Sequence, residues 1–385
     1  MCKLLHHTLR EGEHMSKYDT ILKKQERAIY DPRALYESYG YSLFKTGKFE
    51  DYELYARNKD FLGHDGILAF TDPSGRLMAL KPDVTLSIAK NTADEKGIVQ
   101  KFYYDDEVYR LVPGSRDFRE IMQTGIECIG DLTAYDECEV IALAARSLEL
   151  VSDDYILDIS HMGIVKGLID LLALPDEEAS RILACIRNKN VHESAEICKS
   201  CGVSAVLTDA LCSMINTYGP MDGVLNGMNQ FIIGPDMQKA AAEMRQVSDI
   251  LKSAGLDDHI RFDFSVAGNM GYYDGMIFLG FIEGLNSSVL SGGRYDHLMK
   301  KMGKMSGAVG FSVSLNKLES MEREDKKTDV DILLLCAPDE DPAAISKAAA
   351  DLRADGSSVM VQKKTPAAIR AGRIVRLKDG EVCDE

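Results

Sequence analysis

Residues 102–130, FYYDDEVYRLVPGSRDFREIMQTGIECIG, constrain this chain more than any other stretch. Aromatic and β-branched residues crowd both ends, and a polar segment containing Pro113 and Gly114 separates them. That is the pattern of a long antiparallel hairpin. Arg110, Arg119, Glu120 and Glu127 lie on or beside its strands, so the hairpin can present fixed charges to a small charged ligand. The plainer alternative is a charged hairpin with a solvated tip.

The bulk chemistry narrows the class. The chain has 385 residues, 45% hydrophobic and 28% charged, which suits two or three soluble globular domains. No apolar run reaches the ~18 residues that a membrane helix needs. The first residues, MCKLLHHTLREGEHM, lack the apolar stretch of an export signal, so a cytoplasmic protein without a membrane partner is expected. A net charge of −16 argues against a phosphate-gripping surface, and the lysine clusters (Lys300–Lys301 with Lys304, Lys326–Lys327, Lys363–Lys364) are short enough to be solvated faces. Nucleic acid is therefore not an expected partner. The nine cysteines follow no pairing pattern and read as reduced thiols. Cys198 and Cys201 form a lone CxxC without the second ligand pair of a zinc site. No phosphate-binding GxxxxGK[ST] loop accompanies the LSGG at Leu290–Gly293, and neither GxSxG nor HExxH occurs. No metal and no cofactor are expected.

Local signals give an α+β order. Residues 15–40 look helical, with Pro32 marking a break. Strands are expected around Ser42–Phe44, Ile67–Thr71 and Leu77–Leu80, the last ended by Pro82. A helix follows over 83–91, with Asp83 favoured near its start by the helix dipole. After the hairpin, the spacing predicts a helix over 134–152 and a strand at Tyr155–Ile159. Helical patterns then dominate to residue 258. Strand signals return at Arg261–Val266, Met276–Ile282 and Ser287–Leu290, followed by SGGRYD as a loop and Gly310–Leu318 as a helix. Residues 320–328 form a charged linker. The tail has βαβ order: Val330–Leu335, a helix over Pro342–Ala354, Ser358–Gln362 and a last strand near Arg373–Arg376. The domain reading is a core of 1–159 and 260–320, a mostly helical insertion of 160–259, and a small α/β unit of 328–385.

Several segments, in chain order, carry a resemblance. The hairpin resembles the second signature motif of class II aminoacyl-tRNA synthetases, the histidyl type in particular. FTDPSGRLMALKPDVTLSIAKNT at 70–92 resembles the histidyl stretch that gives a carboxylate and a threonine to the amino acid's ammonium, here Asp83 and Thr85. FDFSVAGNMGYYDGMIF at 262–278 is similar to the segment whose tyrosine pair lines the histidine pocket, here Tyr272 and Tyr273. SGGRYDHL at 291–298, with AVGFSVSLNKL at 308–318, resembles the closing strand, turn and helix of motif 3. The implied fold is a class II synthetase-like antiparallel sheet with flanking helices, a helical insertion and a truncated anticodon-binding-like unit. The implied histidine-like pocket comprises Asp83, Thr85, Arg110, Gln123, Glu127, Tyr272, Tyr273 and Tyr295. An ammonium and an imidazole are costly to bury without such partners, and hydrogen-bonded sites reject analogues that leave them unpaired.

The chain departs from the synthetase pattern mainly on the ATP side. Val112 stands where the family has glutamate. Asn316-Lys317 replaces Glu-Arg, and lysine lacks the planar fork of arginine. Gly268-Asn269-Met270-Gly271 replaces Arg-Gly-Leu-Asp, and the motif 1 proline near Thr46–Gly47 is missing. Loss of ATP contacts with amino-acid contacts kept is similar to the regulatory-subunit family of ATP phosphoribosyltransferase. That resemblance implies no catalytic residues and no aminoacylation. It implies instead a role in histidine biosynthesis under feedback by L-histidine, a short-form catalytic subunit as partner, and self-association as a dimer within a hetero-oligomer. Two other readings stay open: a divergent histidine–tRNA ligase, and a pseudo-synthetase acting as a tRNA sensor or scaffold.

Overall fold

The computed structural model describes residues 24–62, 66–111, 117–268, 272–318, 328–378 and 380–384. Val112, Asn269, Met270, Gly271 and linker residues 320–327 lie outside them. The chain divides into two compact units, Met1–Glu319 and Ser320–Glu385.

The first unit opens with α1 (Lys24–Ser38), β1 (Ser42–Leu43), β2 (Phe49–Asp51), α2 (Tyr52–Arg57), β3 (Ala69–Thr71), β4 (Leu77–Leu80) and α3 (Thr85–Asn91). The hairpin β5 (Val99–Leu111) and β6 (Phe118–Gly130), helix α4 (Ala134–Glu149) and β7 (Tyr155–His161) come next. A mainly helical run follows: α5 (Met162–Leu172), α6 (Asp176–Arg187), α7 (Val191–Ser200), α8 (Ala205–Asn216), β8 (Tyr218–Pro220), α9 (Met221–Gly227) and α10 (Pro235–Ser253). The unit closes with β9 (Ile260–Asp263), β10 (Met276–Ile282), β11 (Leu290–Arg294), α11 (Asp296–Lys301) and β12 (Gly307–Ser314).

A nine-stranded sheet in the order β1-β5-β6-β12-β11-β10-β7-β9-β8 organises the unit. The hairpin pairs in register from Val99↔Gly130 to Leu111↔Phe118. β12 pairs antiparallel with β6, and β11 with both β12 and β10. One face of the sheet is covered by α1 and α4. Thr133 and Asp136 form a capping box at the start of α4, which satisfies amide groups a bare helix end leaves unpaired. On this face Phe311 lies between Tyr36 and Phe278, at ring separations of 6.2 and 6.4 Å. Buried Tyr36 hydrogen-bonds Ser147 at 2.9 Å, tying α1 to α4. A small sheet, β2-β4-β3, stands beside the main one.

Four expectations need correction. Pro32 lies inside α1 and does not break it. Contacts on the helix, Arg33 to Asp105 at 2.7 Å and Tyr36 to Ser147, outweigh one lost amide donor. The segment expected as the loop SGGRYD instead holds strand β11 as far as Arg294, and the strand expected at Ser287–Leu290 starts only at Leu290. Glycine is needed there for packing, not turning: a Cβ on Gly292 would sit 2.5 Å from both the Phe278 ring and Phe311 Cβ. Gly310–Leu318, expected as a helix, is mostly strand β12. Its large residues Val309, Phe311 and Val313 alternate with Ala308, Gly310, Ser312 and Ser314, a period of two.

The second unit has β13 (Val330–Cys336), α12 (Pro342–Arg353), β14 (Val359–Gln362), β15 (Ala371–Lys378) and β16 (Glu381–Asp384). Their sheet runs β14-β13-β15-β16, parallel except for the β15/β16 pair, and buries Ile332, Leu334 and Val375 against α12. The expected βαβ order is present, and β16 extends it.

Candidate functional site

Opposite α1 and α4, the main sheet floors a cavity of about 470 Å3. Its lining includes the buried carboxyl of Glu127 on β6. Pairing places Glu127 beside Gly310, where an added Cβ would fall 1.9 Å from Glu127 Oε2. Glycine at 310 is thus what lets the carboxyl lie across the sheet. Thr85 Oγ1 donates to Glu127 Oε1 at 2.6 Å, and the Tyr295 hydroxyl donates to Glu127 Oε2. Glu127, Thr85 and Tyr295 are all buried. Burial pushes the Glu127 pKa up to about 8, with Asp83 adding to the rise and the two hydroxyl donors opposing it. At neutral pH the group is therefore mainly a protonated carboxyl, offering a donor and an acceptor together.

Asp83 precedes α3 and lies nearer solvent. Its Oδ1 accepts the Leu86 amide at 2.9 Å, securing the first turn of α3 as the sequence suggests. Its Oδ2 lies 3.6 Å from Arg110 Nη2, and Arg110 Nε donates to the Pro82 carbonyl at 2.8 Å. Arg110 therefore comes from the hairpin to hold the segment that carries Asp83 and Thr85. Tyr272 and Tyr273 close another side, with ring centroids 4.4 Å apart, and Tyr272 lies 5.7 Å from Tyr295. Burial raises the pKa of the Tyr272, Tyr273 and Tyr295 phenols, so they remain neutral donors.

Seven expected site residues meet in this cavity: Asp83, Thr85, Arg110, Glu127, Tyr272, Tyr273 and Tyr295. Gln123 does not join its lining. It is buried on β6, opposite Asp106, four residues before Glu127. Sequence reasoning missed Tyr104, Gly310 and Ser312, which also line the cavity. Strand alternation holds a signal for Tyr104, because it shares the parity of Arg110 on β5. Gly310 and Ser312 were hidden by the helical reading of their segment.

On the side where a synthetase holds ATP, the replacement residues are engaged with backbone. Asn316 Oδ1 accepts the Met122 amide at 2.7 Å, and Lys317 Nζ donates to the Ser288 carbonyl at 2.5 Å. Burial, followed by the nearby positive charge of Arg110, lowers the Lys317 pKa. Among the described residues, no group of three or more His, Cys, Asp or Glu side chains could hold a metal ion.

Fold and cavity together define a histidyl-tRNA synthetase-like protein, and the family model described as Histidyl-tRNA synthetase matches residues 21–318. The chain is 30% identical over 298 residues to an ATP phosphoribosyltransferase regulatory subunit from Oceanobacillus iheyensis, an alignment covering 77% of this chain and 73% of that one. It is 28% identical over 338 residues to the protein of that name from Acetivibrio thermocellus, covering 86% and 80%. The chain belongs to the family of ATP phosphoribosyltransferase regulatory subunits. Solved structures agree on the fold. A Bacillus halodurans protein titled ATP phosphoribosyltransferase regulatory subunit/histidyl-tRNA synthetase matches with a TM-score of 0.73 at 23% identity, over 98% of this chain and 99% of that one. A chain of the ATP phosphoribosyl transferase (HisG:HisZ) complex from Thermotoga maritima matches with a TM-score of 0.60 at 20% identity, over 76% and 97%.

Proposed function

We propose that this chain is the regulatory subunit of an ATP phosphoribosyltransferase, serving the first step of histidine biosynthesis, and that its cavity binds free L-histidine without activating it. Its named relatives support the regulatory role and a catalytic phosphoribosyltransferase chain as partner. The observation on which the ligand reading rests is the buried Glu127 carboxyl between Thr85 and Tyr295, with Asp83 nearer the mouth. A protonated carboxyl can donate to the bare nitrogen of a neutral imidazole, while a tyrosine hydroxyl serves the N–H on the other side of the ring. Asp83 is the carboxylate for the ammonium group, which is expensive to desolvate without one.

Adenylate formation needs fixed cations around the α-phosphate. Of the positions that supply them in a synthetase, Arg110 is kept, Lys317 stands for an arginine and is bonded to a backbone carbonyl, and Gly268 stands where the arginine before the tyrosine pair would be. This supports a pocket that senses an amino acid without joining it to nucleotide. Feedback then works by linkage: histidine shifts the complex toward whichever state binds it better. The protein acts as a dimer within a hetero-oligomer and resides in the cytoplasm.

Calorimetry on the protein, alone and with the catalytic subunit, should detect micromolar histidine binding that Glu127→Gln weakens by about tenfold or more. The two chains should co-purify, and histidine should inhibit the assembled enzyme. Histidine-dependent exchange of pyrophosphate into ATP by this chain alone would overturn the non-activating part of the reading.

A further inference from the structure

A second cavity of about 340 Å3 adjoins the first, and Tyr273, Ser291 and Gly292 line both. The sheet register explains why they adjoin. Cross-strand partners share a face, and Glu127↔Gly310, Gly310↔Gly293 and Gly293↔Ile277 make one row across β6, β12, β11 and β10. The parallel row runs Gly125↔Ser312, Ser312↔Ser291 and Ser291↔Leu279. Glycines and serines fill the middle of both rows. A low floor of small residues therefore leads from Glu127, under the first cavity, to Ile277 and Leu279, under the second.

The second cavity contains a cation. Arg187, the last residue of α6, lines it. Its Nε donates to the Ala267 carbonyl at 2.7 Å and its Nη2 to the Gly268 carbonyl at 2.7 Å. One edge of the guanidinium is thus held against the strand-to-loop segment that leads to Tyr272 and Tyr273. Among the described residues it has no carboxylate partner. The carboxylate of Asp263, on β9, is paired with Lys189 at 2.7 Å. Arg187 is exposed as a whole, and the partial burial of its guanidinium lowers its pKa without any opposing carboxylate, yet arginine keeps its charge.

An amino acid in the first cavity brings a carboxylate as well as an ammonium group. Arg110 faces Asp83, and Lys317 is bonded to a carbonyl. We infer that Arg187 is the specificity-determining cation for the ligand's carboxylate, reaching it across the floor between the two cavities. The helical run 162–259 then contributes directly to recognition, and the second cavity is an anion subsite. The fixed planar fork of arginine suits a carboxylate, and its carbonyl contacts hold it in place before the ligand arrives.

This inference rests on the histidine reading above, and its test separates the two. Calorimetry compares histidine with histamine, which has the ammonium and imidazole but no carboxylate, on the wild-type protein and on Arg187→Met. The expected result is a loss of tenfold or more in histidine affinity with histamine affinity unchanged. Unchanged histamine binding also shows that the variant is folded with its pocket intact. Equal losses for both ligands would make Arg187 only a staple for the tyrosine segment and overturn the inference, as would no loss for either. Arg187→Lys, which keeps the charge and loses the fork, should retain part of the histidine affinity. If the wild-type protein binds neither ligand, the histidine reading itself falls.

Discussion

At the scale of single residues, Glu127 shows how burial sets chemistry. The same carboxyl on an open strand would be ionised and paired with a neighbour. Enclosed by Thr85, Tyr295 and the glycine at 310, it holds its proton up to about pH 8. This has a consequence for stability. The unfolded group titrates near 4.5 and the folded one near 8, so the native state keeps a proton that the unfolded chain gives up. Its contribution is full below the lower value and is lost as pH rises through the upper one. Asp158, raised to about 6 by burial and by Asp263, gives the same sign over a lower range. Urea unfolding of the ligand-free protein should therefore show stability falling from about pH 4 to 8, with Asp158 and Glu127 both contributing up to about 6 and Glu127 alone above it. The Glu127 slope is at most about 1.4 kcal/mol per pH unit, and Glu127→Gln should flatten it. An unaltered slope in that variant would mean that Glu127 is ionised in the folded protein.

At the scale of elements, the position of α3 decides whether Asp83 and Thr85 meet Glu127. The C-terminal end of α3 is held from outside. Lys304 Nζ donates to the carbonyls of Ala89, Lys90 and Thr92. Asp94, just beyond α3, accepts the amides of Met305 at 2.8 Å and Ser306 at 2.9 Å. The segment between α11 and β12 therefore clasps the helix that serves the cavity. A cation on terminal helix carbonyls is worth about 0.3–2 kcal/mol. Lys304→Met should cost about 1–2 kcal/mol of stability. It should also speed amide exchange over 85–91 and weaken histidine binding several-fold. Normal exchange there would show that α3 is held by its packed face alone.

At the scale of the whole molecule, the proposed regulation is a coupling between ligand and partner, and coupling is reciprocal. The factor by which histidine changes affinity for the catalytic subunit must equal the factor by which that subunit changes affinity for histidine. Calorimetry of each binding step, with and without the other component, measures both factors. Typical couplings are about 5–150-fold. A subunit that binds histidine identically alone and in the complex would have no feedback role through this cavity, however tightly it binds.

Much of this protein was legible in its sequence because the determining signals are local or have a fixed period. The hairpin, the start of α3 just after Asp83, the helix after the hairpin and the βαβ order of the tail all follow from strand alternation, capping and proline placement. The pocket residues Asp83, Thr85, Glu127 and the tyrosines were named from matched segments. Tertiary structure decided what depends on neighbours far along the chain. Pro32 stays in a helix because Tyr36 and Arg33 are anchored on other elements. Gly292 reads as a loop residue and Gly310 as the start of a helix in sequence, yet both are strand residues that make room for Phe278, Phe311 and Glu127. Arg187, remote from every matched motif, reaches the tyrosine segment only through the fold of the helical run. Residue type and spacing determine what each segment tends to become; only packing sets how deeply a carboxyl is buried and which cation lies beside it.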